Sequence, residues 1–200
     1  MDYIQSFLVY LITFFLVIQF TKIIKVNQKI SLLIFLWHSI FCLIYINYTF
    51  TIGTDSTGYY YNSLIKENLQ FIGNDLVIGI TGIFSKFLGL NLISCFFVYN
   101  LFGSLGQIIF YKNIQPFIQK IKSRYKYFVL LTIWLPTIHF WTAGIGKDAL
   151  IYFLLNLSIF CLNNIKRRVL VLFPSLILVS LIRPHIGIAI FLSILILIKK

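Results

Sequence analysis

The chain has 200 residues, of which 60% are hydrophobic and 11% charged, and its mean hydropathy is +0.93. Soluble domains carry about 25% charged residues, so this sequence lacks the polar residues that a water-exposed surface requires, and it is predicted to be an integral membrane protein. The net charge of +12 lies in short clusters between apolar segments, which argues against a nucleic-acid-binding protein because no polar domain carries it.

A helical span requires roughly 20 residues. Seven apolar segments are predicted to cross the bilayer. They are Tyr3–Thr21, Ile30–Phe50, Asn91–Tyr111, Tyr127–Trp141, Ile145–Leu162, Val169–Ile182 and Ile186–Ile198. Between the second and third spans, Thr51–Asp75 is polar, and Leu76–Leu90 contains Lys86 and three glycines. Leu76–Leu90 is interpreted as a re-entrant or interfacial outer segment. The expected fold is an all-α, polytopic helical bundle that forms a single integral membrane domain over residues 1–200.

Basic clusters predict the orientation of the spans. They are Lys22, Lys25 and Lys29; Lys112, Lys120, Lys122, Arg124 and Lys126; Lys166, Arg167 and Arg168; and Lys199 and Lys200. All four clusters are predicted to be cytoplasmic by the positive-inside rule, which places the N-terminus outside and the C-terminus inside. The N-terminal segment has no basic region before it and is interpreted as a retained span rather than a cleaved signal peptide.

The last two apolar segments are short for membrane spans. Val169–Ile182 and Ile186–Ile198 are either a hairpin whose turn lies below the outer surface or one long helix kinked at Pro184. The hairpin is preferred, because a single helix would place Lys199 and Lys200 outside, against the charge rule.

The first predicted outer loop contains the sequence Thr54–Tyr61, TDSTGYYY. Asp55 is interpreted either as a general base, since a positioned carboxylate can accept a hydroxyl proton, or as the N-cap of a helix that begins at Ser56. Tyr59 and Tyr60 fit an interfacial aromatic belt, and their ring faces also suit stacking on sugars.

The later outer loops contain charges that the charge rule does not explain. Lys147 precedes an apolar helix, where a cation opposes the helix dipole, so an anionic partner such as phosphate or carboxylate is predicted. Asp148 is explained by the same dipole, and it is also a candidate substrate-binding residue beside Lys147. Arg183 and His185 flank Pro184, where one interpretation is a tight outer turn with a snorkelling arginine. The alternative is a functional site: a positive charge on the outer side opposes the charge rule, so Arg183 is expected to have an anionic partner, and arginine suits bidentate contacts with phosphate.

The other histidines and the cysteines give weaker signals. His139 and Trp141 are candidate substrate-binding residues, although Trp141 also fits an aromatic belt, and His38 is expected to be buried and hydrogen-bonded. The three cysteines lie inside apolar segments and are predicted to be free thiols. No metal-ligand spacing and no nucleotide-binding motif occurs in the sequence, so no metal and no cofactor are predicted.

Three stretches together resemble a known group of proteins: TDSTGYYY at Thr54–Tyr61, LPTIHFWTAGIGKDAL at Leu135–Leu150 and LIRPHIG at Leu181–Gly187. The chain resembles the EpsG-like and O-antigen-polymerase-like (Wzy-type) proteins of bacterial polysaccharide biosynthesis, which are related in architecture to GT-C-type glycosyltransferases. Members commonly have ten or more spans, so the seven predicted here fit either a short member or the N-terminal part of a longer architecture.

The resemblance implies glycosyl transfer or repeat-unit polymerisation at the outer face of the bacterial cytoplasmic membrane. Asp55 would be the catalytic or acceptor-positioning carboxylate, while Lys147, Arg183 and His185 would hold the diphosphate of a polyprenyl-linked sugar donor. Other membrane proteins of polysaccharide assembly are expected as partners, beside membrane lipid. Two alternatives remain open: a non-catalytic membrane subunit, and a transporter or flippase of a lipid-linked saccharide.

Overall fold

The computed structural model describes residues 2–198, and all of its regular elements are helical. Side chains are described for these residues except 2, 123 and 194–198. The α-helices are α1 (Asp2–Ile24), α2 (Gln28–Ile52), α3 (Asp55–Ile65), α4 (Asn74–Gly82), α5 (Leu92–Lys120), α6 (Ser123–Leu131), α7 (Pro136–Thr142), α8 (Lys147–Leu162), α9 (Ile165–Ile182) and α10 (Pro184–Ile198). A π-helical turn (Ile83–Phe87) follows α4, and a 3-10 turn (Thr132–Trp134) follows α6.

Three of these helices are long and apolar enough to cross a membrane: Tyr3–Ile24 in α1, Gln28–Ile52 in α2 and Leu92–Lys120 in α5. The prediction of an all-helical membrane protein is therefore supported, but the predicted count of seven spans is not confirmed. Two of the later segments show why they do not qualify. Helix α9 has three cations in its first turns. The predicted span at Tyr127–Trp141 is divided into α6, the 3-10 turn and α7. Leu76–Leu90 is also not among the three helices that qualify.

Helix α5 is the centre of the bundle, and polar side chains attach it to its neighbours. Asn100 Nδ2 donates to Ser39 Oγ on α2 (3.1 Å), and Asn113 Nδ2 donates to the Asn156 carbonyl oxygen on α8 (2.9 Å). Both asparagines are buried. In lipid, where burial of apolar surface gives little driving force between helices, such interhelical hydrogen bonds and close packing hold a bundle together.

Because of the directions in which the helices run, three of the basic clusters lie at the same end of the bundle. Helices α1 and α5 run in the same direction, since Ser6 Oγ contacts Asn91 Oδ1 near their beginnings and Lys112 Nζ donates to the Lys25 carbonyl oxygen near their ends. Helix α8 runs parallel to α5, while α2 and α9 return. We call this end, which contains the clusters around Lys22–Lys29, Lys112–Lys126 and Lys166–Arg168, the basic end. The fourth predicted cluster, residues 199–200, lies outside the described residues.

The break between α6 and α7 is capped by side chains from inside the bundle. Leu135 leaves the helical conformation before Pro136, which has no backbone N–H to donate. Two preceding carbonyl groups are then free of helical partners. Gln107 and His139 both bond to the Ile133 oxygen, and Trp37 donates to the Trp134 oxygen. Irregular backbone at membrane depth requires such internal partners, because lipid offers none.

Helices α9 and α10 form a hairpin, as the charge rule favours, and not a single kinked helix. Arg183 has an extended conformation between them, and Pro184 begins α10. Gly187 lies so close to Ser180 that a Cβ atom would collide with its side chain and Cα atom. Two residues seven positions apart in one helix would be separated by about 10 Å, so α10 folds back on α9.

Candidate functional site

A polar cleft of about 450 Å³ opens at the end of the bundle opposite the basic end, which we call the cleft end. It is formed where α2 ends, α3 and α8 begin, and α9 passes into α10. Its lining residues are Tyr45, Tyr48, Gly53, Thr54, Asp55, Ser56, Tyr59, Asn74, Trp141, Gly144, Ile145, Gly146, Lys147, Asp148 and Arg183.

Short hydrogen bonds and one tight glycine contact fix the two loops of the cleft. The Ser56 hydroxyl is buried and donates to the Ile145 carbonyl oxygen (2.8 Å), which joins the start of α3 to the loop before α8. In that loop, Gly144 packs directly on the Tyr45 ring, where any Cβ atom would collide with it. Gly53 ends α2 with φ of 86°, a conformation that favours glycine.

Asp55 is the first residue of α3, and it is not the helix cap. The hydroxyl of Thr54 accepts the capping hydrogen bond from the Ser56 N–H (3.3 Å), so the N-cap interpretation of Asp55 is wrong. Asp55 is exposed in the cleft, and its carboxylate forms no hydrogen bond or ion pair with any described residue.

Three further charged residues from two other elements face the same cleft. Arg183 Nη2 lies 2.5 Å from Asp148 Oδ1, so the anionic partner predicted for Arg183 includes a carboxylate of the chain itself. Lys147 is half-buried at the start of α8 and has no hydrogen bond or ion pair with another described group. The cleft thus contains a paired guanidinium, an unpaired ammonium and an unpaired carboxylate.

Aromatic rings form one wall of the cleft. The Tyr45 ring centroid lies 5.0 Å from that of Phe140 and 6.4 Å from that of Trp141, whose side chain is 54% exposed. The Tyr59 hydroxyl donates to Asn74 Oδ1 (3.0 Å). Burial raises the pKa of the Tyr59 phenol, and the negative charges of Asp55 and Asp148 raise it further, so this hydroxyl remains a neutral hydrogen-bond donor.

An apolar groove of about 340 Å³ continues from the cleft along α7 and α8. Trp141 and Asp148 line both the cleft and the groove. The remaining residues of the groove are Thr137, Ile138, Thr142, Ile151, Tyr152 and Leu155. The polar cleft is therefore open sideways, toward the surface that lipid would cover.

The structure brings together six of the nine predicted site residues, and these are Asp55, Tyr59, Trp141, Lys147, Asp148 and Arg183. The other three do not line the cleft. His139 is fully buried inside the bundle, with its Nδ1 atom 2.8 Å from Nδ1 of His38. The Tyr60 hydroxyl donates to the Leu90 carbonyl oxygen (3.2 Å), and His185 is exposed at the start of α10.

Sequence reasoning did not identify Tyr45, Tyr48 and Asn74, polar side chains of the cleft that lie outside the stretches it singled out. Tyr45 and Tyr48 are three positions apart at the end of α2, so they share the helix face toward the outer loops, and this spacing was available as a signal. Asn74 had no such signal, since it depends on the packing of α4 beside α3. Among the described side chains, no three histidine, cysteine or carboxylate groups come together as a metal site would require.

Comparisons with protein-family models, with curated proteins and with solved structures give no match to this chain.

Proposed function

We propose that this protein transfers a glycosyl group from a polyprenyl-diphosphate-linked donor at the outer face of a bacterial cytoplasmic membrane. The observation that carries this proposal is the convergence of Asp55, Lys147 and Arg183 on one cleft at the end of the bundle opposite the basic clusters. If the basic end is cytoplasmic, as the positive-inside rule requires, the cleft opens to the outside.

The cations of the cleft would bind the diphosphate of the donor. Lys147 has no partner of its own, and Arg183 contacts Asp148 through one nitrogen, so its other N–H groups remain free for phosphate oxygens. Asp148 then holds the guanidinium in place before the donor binds. Cations that are already positioned stabilise the leaving diphosphate without reorganisation, and such stabilisation of developing charge supplies much of the rate enhancement in many enzymes.

The apolar groove beside Trp141 supports a lipid-linked donor over a water-soluble one. An amphiphile with a charged head in the cleft can place the first part of its hydrocarbon tail against Ile138, Ile151 and Leu155, since the groove begins where the cleft ends. A nucleotide-linked sugar has no group that would use this surface.

Asp55 would act as the general base. In this step, the acceptor hydroxyl loses its proton to the Asp55 carboxylate while its oxygen forms a bond to the anomeric carbon of the donor. The bond between that carbon and the diphosphate breaks, and the diphosphate leaves with the electron pair beside Lys147 and Arg183. The Tyr59 phenol and the aromatic wall would orient the sugar.

The two alternative functions predict other features. A transporter would use the broken segment α6–α7 as its binding site, as broken helices do in many transporters. Here the carbonyl groups at the break are already bonded to Gln107, His139 and Trp37, so they are not offered to a substrate. A non-catalytic subunit would need no unpaired carboxylate in the cleft.

The test uses the purified full chain in lipid nanodiscs and undecaprenyl diphosphate that carries single hexoses or N-acetylhexosamines. Release of undecaprenyl diphosphate in the presence of acceptor sugars is expected for the wild type. We expect Asp55→Asn to lower the rate by about 10²-fold or more, since general bases contribute roughly 10²–10⁴-fold.

Glu67→Gln is the matched control, because Glu67 is an exposed acid of the same loop region that does not line the cleft. It is expected to leave the rate unchanged. A fully active Asp55→Asn protein with normal expression would show that Asp55 is not the base. In sealed proteoliposomes that contain the protein, uptake of the donor across the membrane without release of undecaprenyl diphosphate would favour transport.

A further inference from the structure

A second cavity, of about 360 Å³, lies between α5 and α6 near the basic end. Helix α6 packs closely only against the 3-10 turn that follows it, among the described elements, so it leaves a gap beside α5. The residues that line this gap are Ile30, Tyr111, Gln115, Ile118, Gln119, Lys126, Leu130, Ile133 and Trp134.

Polar groups without partners follow one wall of this cavity. Tyr111, Gln115 and Gln119 are spaced four residues apart on α5, so their side chains lie on one face of the helix. Lys126 faces the same cavity from α6. Within the described part of the chain, the side chains of these four residues make no hydrogen bond or ion pair. An external ligand with acceptor oxygens would satisfy all of them.

The polarity of the cavity changes with depth. Lys126 and Gln119 are exposed at its mouth, whereas Ile118 and Ile133 are buried at its base. Trp134 completes the apolar part. A ligand that fits this gradient has a polar head and an apolar tail.

The positive charge around the cavity favours a ligand whose head group is anionic. The three clusters of the basic end contribute 11 of the 17 basic residues of the chain and none of its acids. Lys120, Lys122 and Arg124 lie in the segment that joins the two walls of the cavity. Basic pockets between membrane helices commonly bind anionic lipid head groups, and each nearby cation strengthens this attraction.

We propose that the cavity between α5 and α6 binds one anionic phospholipid. Its phosphate contacts Lys126 and the amides of Gln115 and Gln119, and one acyl chain lies against Ile133 and Trp134. The lipid fills the gap beside α6 and attaches this helix to the bundle. This site is at the opposite end from the cleft, so it does not depend on the proposed transferase activity.

The test measures the affinity of the full chain for dioleoylphosphatidylglycerol in detergent, by titrated thermal shift and by native mass spectrometry of the retained lipid. We expect saturable binding of one molecule and a rise in Tm, while dioleoylphosphatidylcholine gives neither. Lys126→Gln is expected to weaken binding about five-fold, in line with the contribution of one cation near an anionic lipid surface.

Lys166→Gln is the matched control, because it removes the same charge from the same end of the bundle but outside the cavity. It is expected to leave the affinity unchanged. Gln119→Trp, at an exposed position, fills the mouth of the cavity and is expected to abolish saturable binding. Lys126 and Gln119 are both exposed, so their substitution removes no packing contact of the core, and both variant proteins are expected to fold.

Three results would overturn the proposal. Equal weakening by Lys126→Gln and Lys166→Gln would indicate a diffuse charge effect in place of a built site. Equal binding of the phosphatidylcholine would show that the head group is not recognised. Complete displacement of the lipid by glycerol 1-phosphate at the same concentration would show a phosphate site that does not use the acyl chain.

Discussion

The two ends of the bundle differ in how their charges are used. At the basic end, 11 cations occur without an acid, in loops and at helix ends. At the cleft end, Asp55, Lys147, Asp148 and Arg183 lie within one cavity, and two of them form an ion pair. The basic end has the composition that the positive-inside rule requires of cytoplasmic loops, whereas the cleft end has charges of both signs that this rule does not explain.

The backbone differs between the two ends in the same way. The basic end consists mainly of helix termini joined by short turns. The cleft end contains the extended residues Gly146 and Arg183 and the left-handed glycine Gly53. The Gly53 N–H donates to the Thr49 carbonyl oxygen, and the Arg183 side chain is paired with Asp148. Irregular backbone that is fixed in this manner is typical of sites that position functional groups. The comparison therefore predicts that similar substitutions have unlike effects at the two ends.

The largest expected difference concerns two lysines. Lys147→Met removes the unpaired cation of the cleft and is expected to lower the rate of diphosphate release by about 10²–10³-fold, the usual cost of losing one group that stabilises a developing charge. Lys166→Met removes a cation of the basic end and is expected to leave this rate unchanged. The measurement is the nanodisc transfer assay. Similar losses of rate in both variants would contradict the expected difference between the two ends.

A smaller effect is expected from two glycines, one in the interior of the bundle and one at the cleft end. A Cβ atom at Gly103 on α5 would collide with the Thr142 carbonyl oxygen and the His38 ring, so Gly103→Ala is expected to lower the free energy of unfolding by about 3 kcal/mol. Gly58 on α3 has open space around it, and Gly58→Ala is expected to be neutral or slightly stabilising. Unfolding in increasing mole fractions of dodecyl sulfate measures both, and equal stabilities would contradict the close packing of α5 on α7.

The smallest expected effect is a pH dependence of the cleft end. Lys66 Nζ lies 2.6 Å from Asp75 Oδ1, and this hydrogen bond lowers the pKa of the Asp75 carboxyl, which also accepts from the Gln70 N–H. Because the pKa is lower in the folded state, the pair contributes stability above the ordinary aspartate pKa near 4 and loses it as the pH falls through the folded pKa. The Tm difference between the wild type and Asp75→Asn is therefore expected to shrink between pH 6 and pH 3, and a difference that grows on acidification would contradict the pair.

Several features of the molecule were determined by the sequence alone. The low fraction of charged residues and the long apolar segments indicate a helical membrane protein. The sequence also locates α1, α2 and α5 to within a few residues, except for the C-terminal end of α5. Charges that opposed the charge rule identified Lys147 and Arg183, since an isolated charge near a membrane requires a partner wherever it lies in the fold. Asp55 was identified by its loop, because it is an acid within an otherwise neutral aromatic stretch.

Only the tertiary structure decided which of these residues meet. His139 lies two positions from Trp141, yet the turn of α7 directs it into the bundle toward His38 while Trp141 faces the cleft. Pro136 is a local signal for the break at Leu135, but a break inside the bundle also depends on Gln107 and Trp37 reaching the free carbonyl groups from other helices. The pairing of Arg183 with Asp148 joins residues 35 positions apart, and the cavity beside α6 exists because one helix is packed loosely. Composition and local spacing decide which residues need partners, but the partners are supplied by contacts between distant helices, and the packing of the whole chain decides those contacts.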